Sequence, residues 1–414
     1  MAESVKFLKE EGLIYIMKEI RIGKIAIPRD LLLFLIASAL LGITSAVEST
    51  SFANRLAEDL HFTVTQRTLL EIPRELPGLL VVFITGALVF LGDVRTAAIA
   101  NIIGGIGLYV FGVVPTGYLP VVLTMMVYSM GQHVYMPIQG AISMSFAKDG
   151  KIGRRLGEIQ SVNTAALIVT AAVLYCLYQF LHVRFMVSFT IGAIAMVLAG
   201  VVFMFMSPGK AEIRKQRFIF NKKFTLFYIL SVVYGARKQI TYTFTPWLII
   251  TVYNQPATTM TLLFFIVAVI NVFFRPFLGG LIDRKGERFV LMFEAILLLV
   301  ACCGFAFAKV LLPETPALIV ASACYVIDQV FAGAGMARTT YVRRLTDNPN
   351  EVSATLSLGI SLDHAIAMSM PAFAGMLWAW NPGVGYVYVF IGGIAISIVN
   401  MILSNRIRIP AAQY

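Results

Sequence analysis

Long apolar stretches, separated by short polar breaks, occupy nearly the whole chain from residue 31 to residue 407. Each stretch can cross the hydrocarbon core of a bilayer, which takes about 20 predominantly apolar residues in a helix. The bilayer core has no water for backbone groups, and the stretches lack the alternation of a β-barrel, so we predict an all-α membrane protein. The pattern predicts twelve transmembrane helices, at residues 31–53, 66–91, 94–114, 118–146, 156–181, 185–206, 224–253, 258–282, 289–311, 316–341, 351–380 and 384–404.

A basic segment divides the twelve predicted helices into two sets of six. The sequence from Tyr128 to Gln132 in the fourth helix is similar to that from Tyr325 to Gln329 in the tenth, about 200 residues later. This spacing predicts a duplicated unit, with two pseudo-symmetric six-helix bundles that are each built from two three-helix repeats. The predicted divisions are an N-terminal segment at 1–30, a first bundle at 31–207, a basic linker at 208–223 and a second bundle at 224–414.

The N-terminal segment mixes both charge signs, and its apolar run from Gly12 to Met17 is too short for the core of a signal peptide. Its apolar and basic residues can be placed on opposite faces of one helix. We therefore predict an amphipathic helix on the cytoplasmic membrane surface, with a frayed tail as the alternative.

The charge pattern adds an orientation to this picture. With 58% hydrophobic and 13% charged residues, a soluble protein is excluded, so the net charge of +11 is a topology signal and does not indicate nucleic-acid binding. Basic residues gather in the linker and, after the fourth helix, at Lys148, Lys151, Arg154 and Arg155. Because basic loops stay inside, we predict cytoplasmic termini and a multi-pass protein of the cell (inner) membrane.

The sequence between the eighth and ninth predicted helices is Gly279-Gly-Leu-Ile-Asp283-Arg284-Lys-Gly286-Glu-Arg288. This motif resembles the signature of the major facilitator superfamily. The resemblance implies secondary transport by alternating access, with these residues at a cytoplasmic gate. We expect Gly279 to allow a close helix approach, Gly286 to allow a tight turn, and Asp283 to contact an arginine or a helix N-terminus.

Departures from the family pattern narrow the expectation. The first-half copy of the motif keeps only Asp93 and Arg95, which argues against a symmetric pair of gates. Drug–proton antiporters of the family usually carry an arginine in the fourth helix and a Gly-Pro pattern in the fifth, and both are absent from this sequence. Drug export of that type is therefore disfavoured.

Ionisable residues at membrane depth are the candidate site, because they are costly in lipid unless they face a cavity or a partner. Arg67, Glu71, Arg74 and Glu75 share one helical face. We expect Arg67 to pair with Glu71 and Arg74 with Asp363, a bridge that the resemblance places at the external gate. The residues predicted to bind substrate or couple its transport are Glu48, Glu71, Arg74, Glu75, Arg237, Lys238, Asp328, Asp363 and His364.

Among these residues, Arg237 is the predicted ligand of an anionic substrate, and it cannot share that ligand squarely with Lys238 because adjacent helical residues point about 100° apart. The carboxylates and His364 are candidates for proton coupling. The sequence has no H-E-x-x-H, G-x-S-x-G or Walker motif, so we expect no enzymatic activity, cofactor or resident metal.

The sequence therefore predicts a proton-coupled transporter of a small organic anion. We expect it to act as a monomer, with substrate, protons and lipid as its partners. The alternatives are an exporter of amphiphilic or drug-like compounds, a divalent-metal carrier that uses residues such as Asp328 and His364, and a non-transporting membrane sensor on the same fold.

Overall fold

The computed structural model describes residues 3–10, 13–22, 25–113, 117–146, 152–207, 220–346 and 348–408, and it is built almost entirely from α-helices. Short 3-10 or π segments continue several of them. The α-helices are α1 (Arg29–Asn54), α2 (Val64–Leu69), α3 (Glu71–Ala87), α4 (Asp93–Val113), α5 (Tyr118–Ser145), α6 (Ile152–Leu181), α7 (Phe185–Met204), α8 (Thr225–Trp247), α9 (Ala257–Leu311), α10 (Glu314–Phe331), α11 (Met336–Leu345), α12 (Pro349–Trp380) and α13 (Gly385–Asn405).

These helices supply the twelve predicted crossings once three irregular positions are taken into account. The second crossing consists of α2 and α3, which are separated at Leu70; Pro73 has no N–H to donate to the carbonyl one turn earlier. Helix α9 holds the eighth and ninth crossings, which meet at Gly286 (φ 80°, ψ 164°). The tenth consists of α10 and α11, joined by the 3-10 turn Ala332–Gly335. Within the described residues, eight helical segments are long and apolar enough to span a membrane, judged by length and composition alone.

The prediction for the N-terminal segment is wrong in its secondary structure. An antiparallel sheet of β1 (Glu3–Glu10), β2 (Leu13–Ile22) and β3 (Ile25–Pro28) precedes α1, in the order β1-β2-β3. Val5 pairs with Lys18, and Ile20 pairs with Ile27. The Ile-Tyr-Ile sequence and the later isoleucines of β2 favour a strand over a helix, because β-branched and aromatic side chains suit a pleated backbone.

The two halves of the chain, α1 to α7 and α8 to α13, pack together on one side of the molecule. Helix α12 packs on α2 and α3, and α9 packs on α1 and α6. One buried apolar cluster contains residues from both halves, among them Phe52 and Phe62 from the first and Met260 and Trp378 from the second. These residues lie where odd-numbered crossings end and even-numbered crossings begin, a face that we call the far face. The two halves therefore share a core at the far face.

The opposite face, which we call the terminal face, carries the beginning of α1 and the end of α13. There the backbone N–H of Ser207 donates to Asp30, and Arg288 donates to Asn405 at 2.5 Å, each within its own half. A second buried cluster near this face, which includes Phe227 and Leu291, draws all its described residues from the second half. The cluster that reaches the far face thus contains residues of both halves, whereas the described residues of this second cluster all belong to the second half.

The basic linker and the basic loop after α5 lie mostly outside this description. Residues 208–219, and Lys148 and Lys151 in the other loop, are not among the described residues. Arg154 and Arg155, at the start of α6, are described and pair with Glu158 at 2.9 Å each. The boundaries of the two bundles and the linker stay a prediction.

Substitution of Gly375 tests the closure of the far face. A Cβ atom at Gly375 on α12 would lie 2.7 Å from the Cβ of Thr68 on α2. We expect Gly375→Ala to disfavour this closed conformation by about 1–3 kcal/mol, the usual cost of overpacking. In a cysteine-free background, spin labels at the exposed far-face residues Leu181 and Glu314 should then report a larger population of long distances.

The matched control is Gly392→Ala in α13, since a Cβ atom there meets nothing within 4 Å. We expect this variant to keep the wild-type distance distribution. Identical distributions for the two alanine variants would contradict the role of the Gly375 contact in closing the far face.

Candidate functional site

The charged residues of the second crossing form one buried ion-pair network. Arg67 pairs with Glu71, as predicted, and the Arg74 Nη2 atom lies 2.7 Å from Glu71 Oε2 and 2.7 Å from Glu75 Oε1. All four residues are at least nine-tenths buried. The helical offsets seen in the sequence place the four on one face, and mutual pairing makes their burial possible.

Helix α5 holds this network in place within the first half. The Ser129 hydroxyl donates a hydrogen bond to the backbone carbonyl of Arg74. On the other side, Glu48 of α1 accepts from the Tyr128 hydroxyl at 2.7 Å and from Gln132 Nε2 at 3.0 Å, both at the same carboxylate oxygen. Glu48 is therefore held in place by two uncharged donors.

The second oxygen of Glu48 has a looser contact. It lies 3.9 Å from Arg74 Nη1, too long for a direct hydrogen bond. With Glu48 included, the network contains three carboxylates, Glu48, Glu71 and Glu75, and two guanidinium groups, Arg67 and Arg74. It therefore carries one more carboxylate than cation when its histidine neighbours are neutral.

Two histidines extend the network across the interface between the halves. Glu75 Oε2 lies 3.0 Å from His364 Nδ1 on α12 and 3.8 Å from His133 Nε2 on α5. The two imidazole centroids are 5.1 Å apart. A Cβ atom at Gly78 would lie 2.6 Å from both rings, so the glycine makes room for them. We call this Glu75–His133–His364 group the histidine cluster.

The predicted bridge between Arg74 and Asp363 is wrong. Asp363 Oδ2 lies 2.5 Å from Lys238 Nζ on α8, while Arg74 is occupied by carboxylates of its own half. The reason is geometric: Asp363 and His364 are adjacent on a helix and point about 100° apart. His364 faces the first half, so Asp363 is turned toward α8.

Arg237 forms a separate buried group within the second half. Its Nη1 atom lies 2.9 Å from Asp328 Oδ1, and its Nη2 atom lies 4.0 Å from Glu294 Oε1. Arg237 is 1% exposed, and Asp328 also accepts from Gln329 at 3.1 Å. The guanidinium is thus surrounded by protein, and as the sequence indicated, it does not share a partner with Lys238.

A cavity of about 70 Å³ lies between the halves at the inner edge of the far face. Arg74 and Glu48 form its charged wall, and neither Arg237 nor Lys238 is among its lining residues. The structure thus puts the first-half arginine at the cavity, whereas the sequence favoured the second-half one. The lining residues are Glu48, Ser49, Thr50, Phe52, Ala53, Asn54, Arg67, Arg74, Tyr242, Pro246, Met260, Phe264, Tyr325 and Gln329.

The repeated Tyr-x-x-x-Gln sequence was a signal for part of this site. Tyr128 and Gln132, from the first copy, hold Glu48, and Tyr325 and Gln329, from the second, line the cavity. The repeat indicated duplication, and none of these four residues was predicted to belong to the site. Tyr242, whose ring lies 5.9 Å from the Arg74 guanidinium, had no sequence signal of its own.

The gate motif at the terminal face is confirmed in one structural detail and differs in two. Gly286 has φ 80°, which glycine adopts readily, and it makes the turn between the eighth and ninth crossings. A Cβ atom at Gly279 would meet nothing within 4 Å, so the expected close approach is not made here. Asp283 is exposed, and the ion pair at this corner joins Glu287 to Arg344 at 2.6 Å.

Comparison with known proteins defines the class. The family model described as Major Facilitator Superfamily matches residues 32–368. Similar solved structures include the nucleoside transporter NupG (15% identity, TM-score 0.73, covering 91% of this chain and 99% of that one) and a D-xylose-proton symporter (13%, 0.65, 92% and 97%). A bacterial homologue of the human lysosomal transporter Spinster, in an inward-facing and occupied conformation, is also similar (15%, 0.65, 91% and 94%). No curated protein sequence matches.

The fold is similar to that of solved multi-pass membrane transporters, and a cavity lies between its two halves. The chain belongs to the Major Facilitator Superfamily, as its resemblance in the gate motif implied. It is therefore a secondary transporter, and the low identity to the solved structures shows a common fold without indicating a substrate.

Proposed function

We propose that the protein carries a small organic anion together with a proton, by alternating access to the cavity between its two halves. The observation that carries this proposal is the placement of Arg74 and Glu48 on one wall of that cavity. The arginine offers an anion ligand, and the carboxylate that faces it across a loose contact offers a proton acceptor.

The donors of Arg74 differ in how firmly they are held. Its Nε atom donates to Glu71 at 2.8 Å, and its Nη2 atom donates to Glu75 at 2.7 Å. Nη1 has the 3.9 Å contact with Glu48 instead. A substrate carboxylate that entered the cavity would therefore bind at Nη1, where it competes with Glu48 for the guanidinium.

Protonation of Glu48 removes this competition. The groups that face Glu48 are Arg74 on α3, Tyr128 and Gln132 on α5, and Tyr242 on α8. One proton on Glu48 also neutralises the single excess carboxylate of the network, which leaves room for one substrate charge. Binding of a monoanion with one proton keeps the charge balance of the buried site, and anion binding should strengthen as the pH falls.

We further propose that the terminal face is cytoplasmic and that the protein acts as a monomer in the cell membrane. Basic residues at the terminal face, such as Arg154, Arg284 and Arg406, agree with the retention of positive loops inside. In that orientation, a core shared by both halves at the far face agrees with an inward-open conformation.

Transport by Glu48→Gln tests the proton's role. Glutamine keeps the size of the side chain and a hydrogen-bond acceptor, but its amide does not ionise and cannot take up or release a proton as a carboxylate does. In proteoliposomes we expect this variant to exchange labelled anion across the membrane while losing accumulation driven by a pH gradient. The accumulation ratio should fall to about one, as expected of an uncoupled carrier.

Glu314→Gln at the start of α10 is the control, since Glu314 is exposed at the far face and lies outside the cavity. It should accumulate the anion as the wild type does. Proton-driven accumulation by Glu48→Gln at the wild-type level would contradict the proposed coupling.

A neutral polar solute is the second candidate substrate, because the wall opposite Arg74 is aromatic and amide-bearing. The aromatic side chains of this wall can stack on a ring, and its amide and phenol groups can hydrogen-bond to hydroxyl groups, without displacing Glu48. The residues of the wall are Tyr242, Tyr325, Phe264 and Gln329. The similar structures described as a nucleoside transporter and a D-xylose-proton symporter favour keeping this candidate. A neutral solute should bind independently of Glu48 protonation, which distinguishes it from an anion.

A further inference from the structure

We propose that the histidine cluster binds a divalent transition-metal ion such as Zn²⁺, and that the bound ion holds the two halves together in this conformation and inhibits transport. The site consists of Glu75, His133 and His364, whose ligand atoms all lie within 4.8 Å of one another. The ligand atoms are distinct from Arg74 Nη1, so metal binding can be measured without the proposed organic anion.

The ligand atoms have the chemistry and spacing that zinc requires. Two imidazoles and one carboxylate form a common zinc ligand set, with a further position open to water. Bonds of about 2.0–2.1 Å in a tetrahedral site place ligand atoms roughly 3.3 Å apart. The distances from Glu75 Oε2, 3.0 Å to His364 and 3.8 Å to His133, lie on either side of that value.

The surrounding hydrogen bonds orient two of the three ligands. His133 Nδ1 lies 2.9 Å from the carbonyl oxygen of Ser129, so it donates there and Nε2 presents its lone pair to Glu75 and His364. Arg74 occupies the other Glu75 oxygen, Oε1, at 2.7 Å, which leaves Oε2 for the ion. Such outer contacts set the tautomer and orientation of metal ligands.

The electrostatic surroundings also accept a cation. The guanidinium of Arg74 is close, but the network around it contains three carboxylates and two arginines, so its sum is one negative charge before any ion binds. Glu75 and His133 are each 6% exposed. A bound ion would therefore be shielded from solvent and attracted by the excess carboxylate.

The bound ion would favour one conformation because its ligands come from both halves of the protein. Glu75 and His133 belong to the first half, and His364 belongs to the second. Any movement that separates α12 from α3 and α5 removes one ligand from the other two. Because a ligand shifts an equilibrium by its difference in affinity between two conformations, metal binding should favour the conformation closed at the far face and oppose the transport cycle.

Metal titration of the full-length purified protein tests the site. We expect Zn²⁺ to bind the wild type in isothermal titration calorimetry, and Co²⁺ to give the visible absorption of a four-coordinate ion. His133→Asn and His364→Asn should each weaken Zn²⁺ binding by at least about 100-fold, since outer contacts alone are worth 10–100-fold. His182→Asn, at an exposed histidine away from the cluster, should bind as the wild type does.

Further measurements keep the proposal open to contradiction if a variant folds poorly. His364→Cys, which restores a ligand atom, should recover Zn²⁺ binding. Zn²⁺ should also narrow the distance distribution between labels at Leu181 and Glu314 and inhibit solute exchange, whereas Mg²⁺, which prefers oxygen ligands, should do neither. Unchanged Zn²⁺ binding in both asparagine variants would overturn the site, and transport of Zn²⁺ across proteoliposomes would overturn its role as an inhibitor.

Discussion

Replacing Arg74 by alanine should abolish transport and destabilise the protein by about 3–5 kcal/mol, the usual cost of leaving a buried charge without its partner. Arg74 contacts Glu71, Glu75 and Glu48, so its removal leaves three carboxylates in a buried site with Arg67 as the remaining cation. It also removes the proposed anion ligand. Uptake into proteoliposomes and thermal unfolding in detergent measure the two effects.

Arg74→Lys separates these two effects. Lysine keeps the positive charge but lacks the planar fork that bonds Glu71 and Glu75 together, so we expect a smaller loss of stability and still a ten- to hundredfold loss of anion affinity. Arg154→Ala is the control, because the Arg154–Glu158 pair is exposed and such pairs contribute about 0–1 kcal/mol. Transport at the wild-type rate by Arg74→Ala would contradict the assignment of the site.

Replacing Arg237 by alanine is expected to destabilise the second half by a similar 3–5 kcal/mol without changing the anion affinity of the folded protein. Asp328 and Glu294 would remain buried without the Arg237 guanidinium at 2.9 and 4.0 Å. Because Arg237 does not line the cavity, its effect should act through folding. Thermal unfolding and ligand titration, compared in one preparation, distinguish a loss of stability from a loss of anion affinity.

The double variant Arg237→Met/Asp328→Leu provides the decisive comparison for that residue. Replacing both members of a buried ion pair by apolar residues of similar volume is often neutral or stabilising, so we expect part of the lost stability to return. The folded double variant should bind the anion with the affinity of the wild type. A hundredfold loss of binding would restore Arg237 as the substrate ligand, as the sequence analysis predicted.

The sequence predicted the helices well because their signals are local. Apolar length locates each crossing to within a few residues, and helical periodicity places Arg67, Glu71, Arg74 and Glu75 on one face. The pair between Arg67 and Glu71 lies within a single helical run, so it too was predictable. The turn at Gly286 was also predictable, because the positive φ of this residue depends only on its local backbone.

Partners on different helices could not be predicted in the same way. Whether Arg74 meets Asp363 depends on the rotation of α12 about its axis, and a turn of one residue exchanges Asp363 for His364 at the interface. The histidine cluster could not be predicted for the same reason, because its residues lie on different helices. Glu75 and His364 were predicted as site residues at membrane depth, but their convergence with His133 depends on how three helices pack.

The N-terminal sheet shows a different limit. The same apolar residues can be arranged on one side of a helix or distributed along strands, and a segment this short gives a weak periodic signal. The pairing of β1 with β2 and of β2 with β3 decides in favour of strands. Residue-level preferences, chiefly the isoleucines of β2, were the better guide at that position.

Proton uptake during substrate binding tests the central claim most directly. A thermal-stability screen of organic anions, neutral solutes and lipophilic cations first identifies the ligand, and an indicator dye in weakly buffered solution then counts the protons taken up as that ligand saturates the protein. We predict that an organic anion binds with about one proton in the wild type, the excess carboxylate at Glu48 being its acceptor, and with none in Glu48→Gln. The same proton uptake in both proteins, or binding of neutral solutes or lipophilic cations alone, would contradict the account.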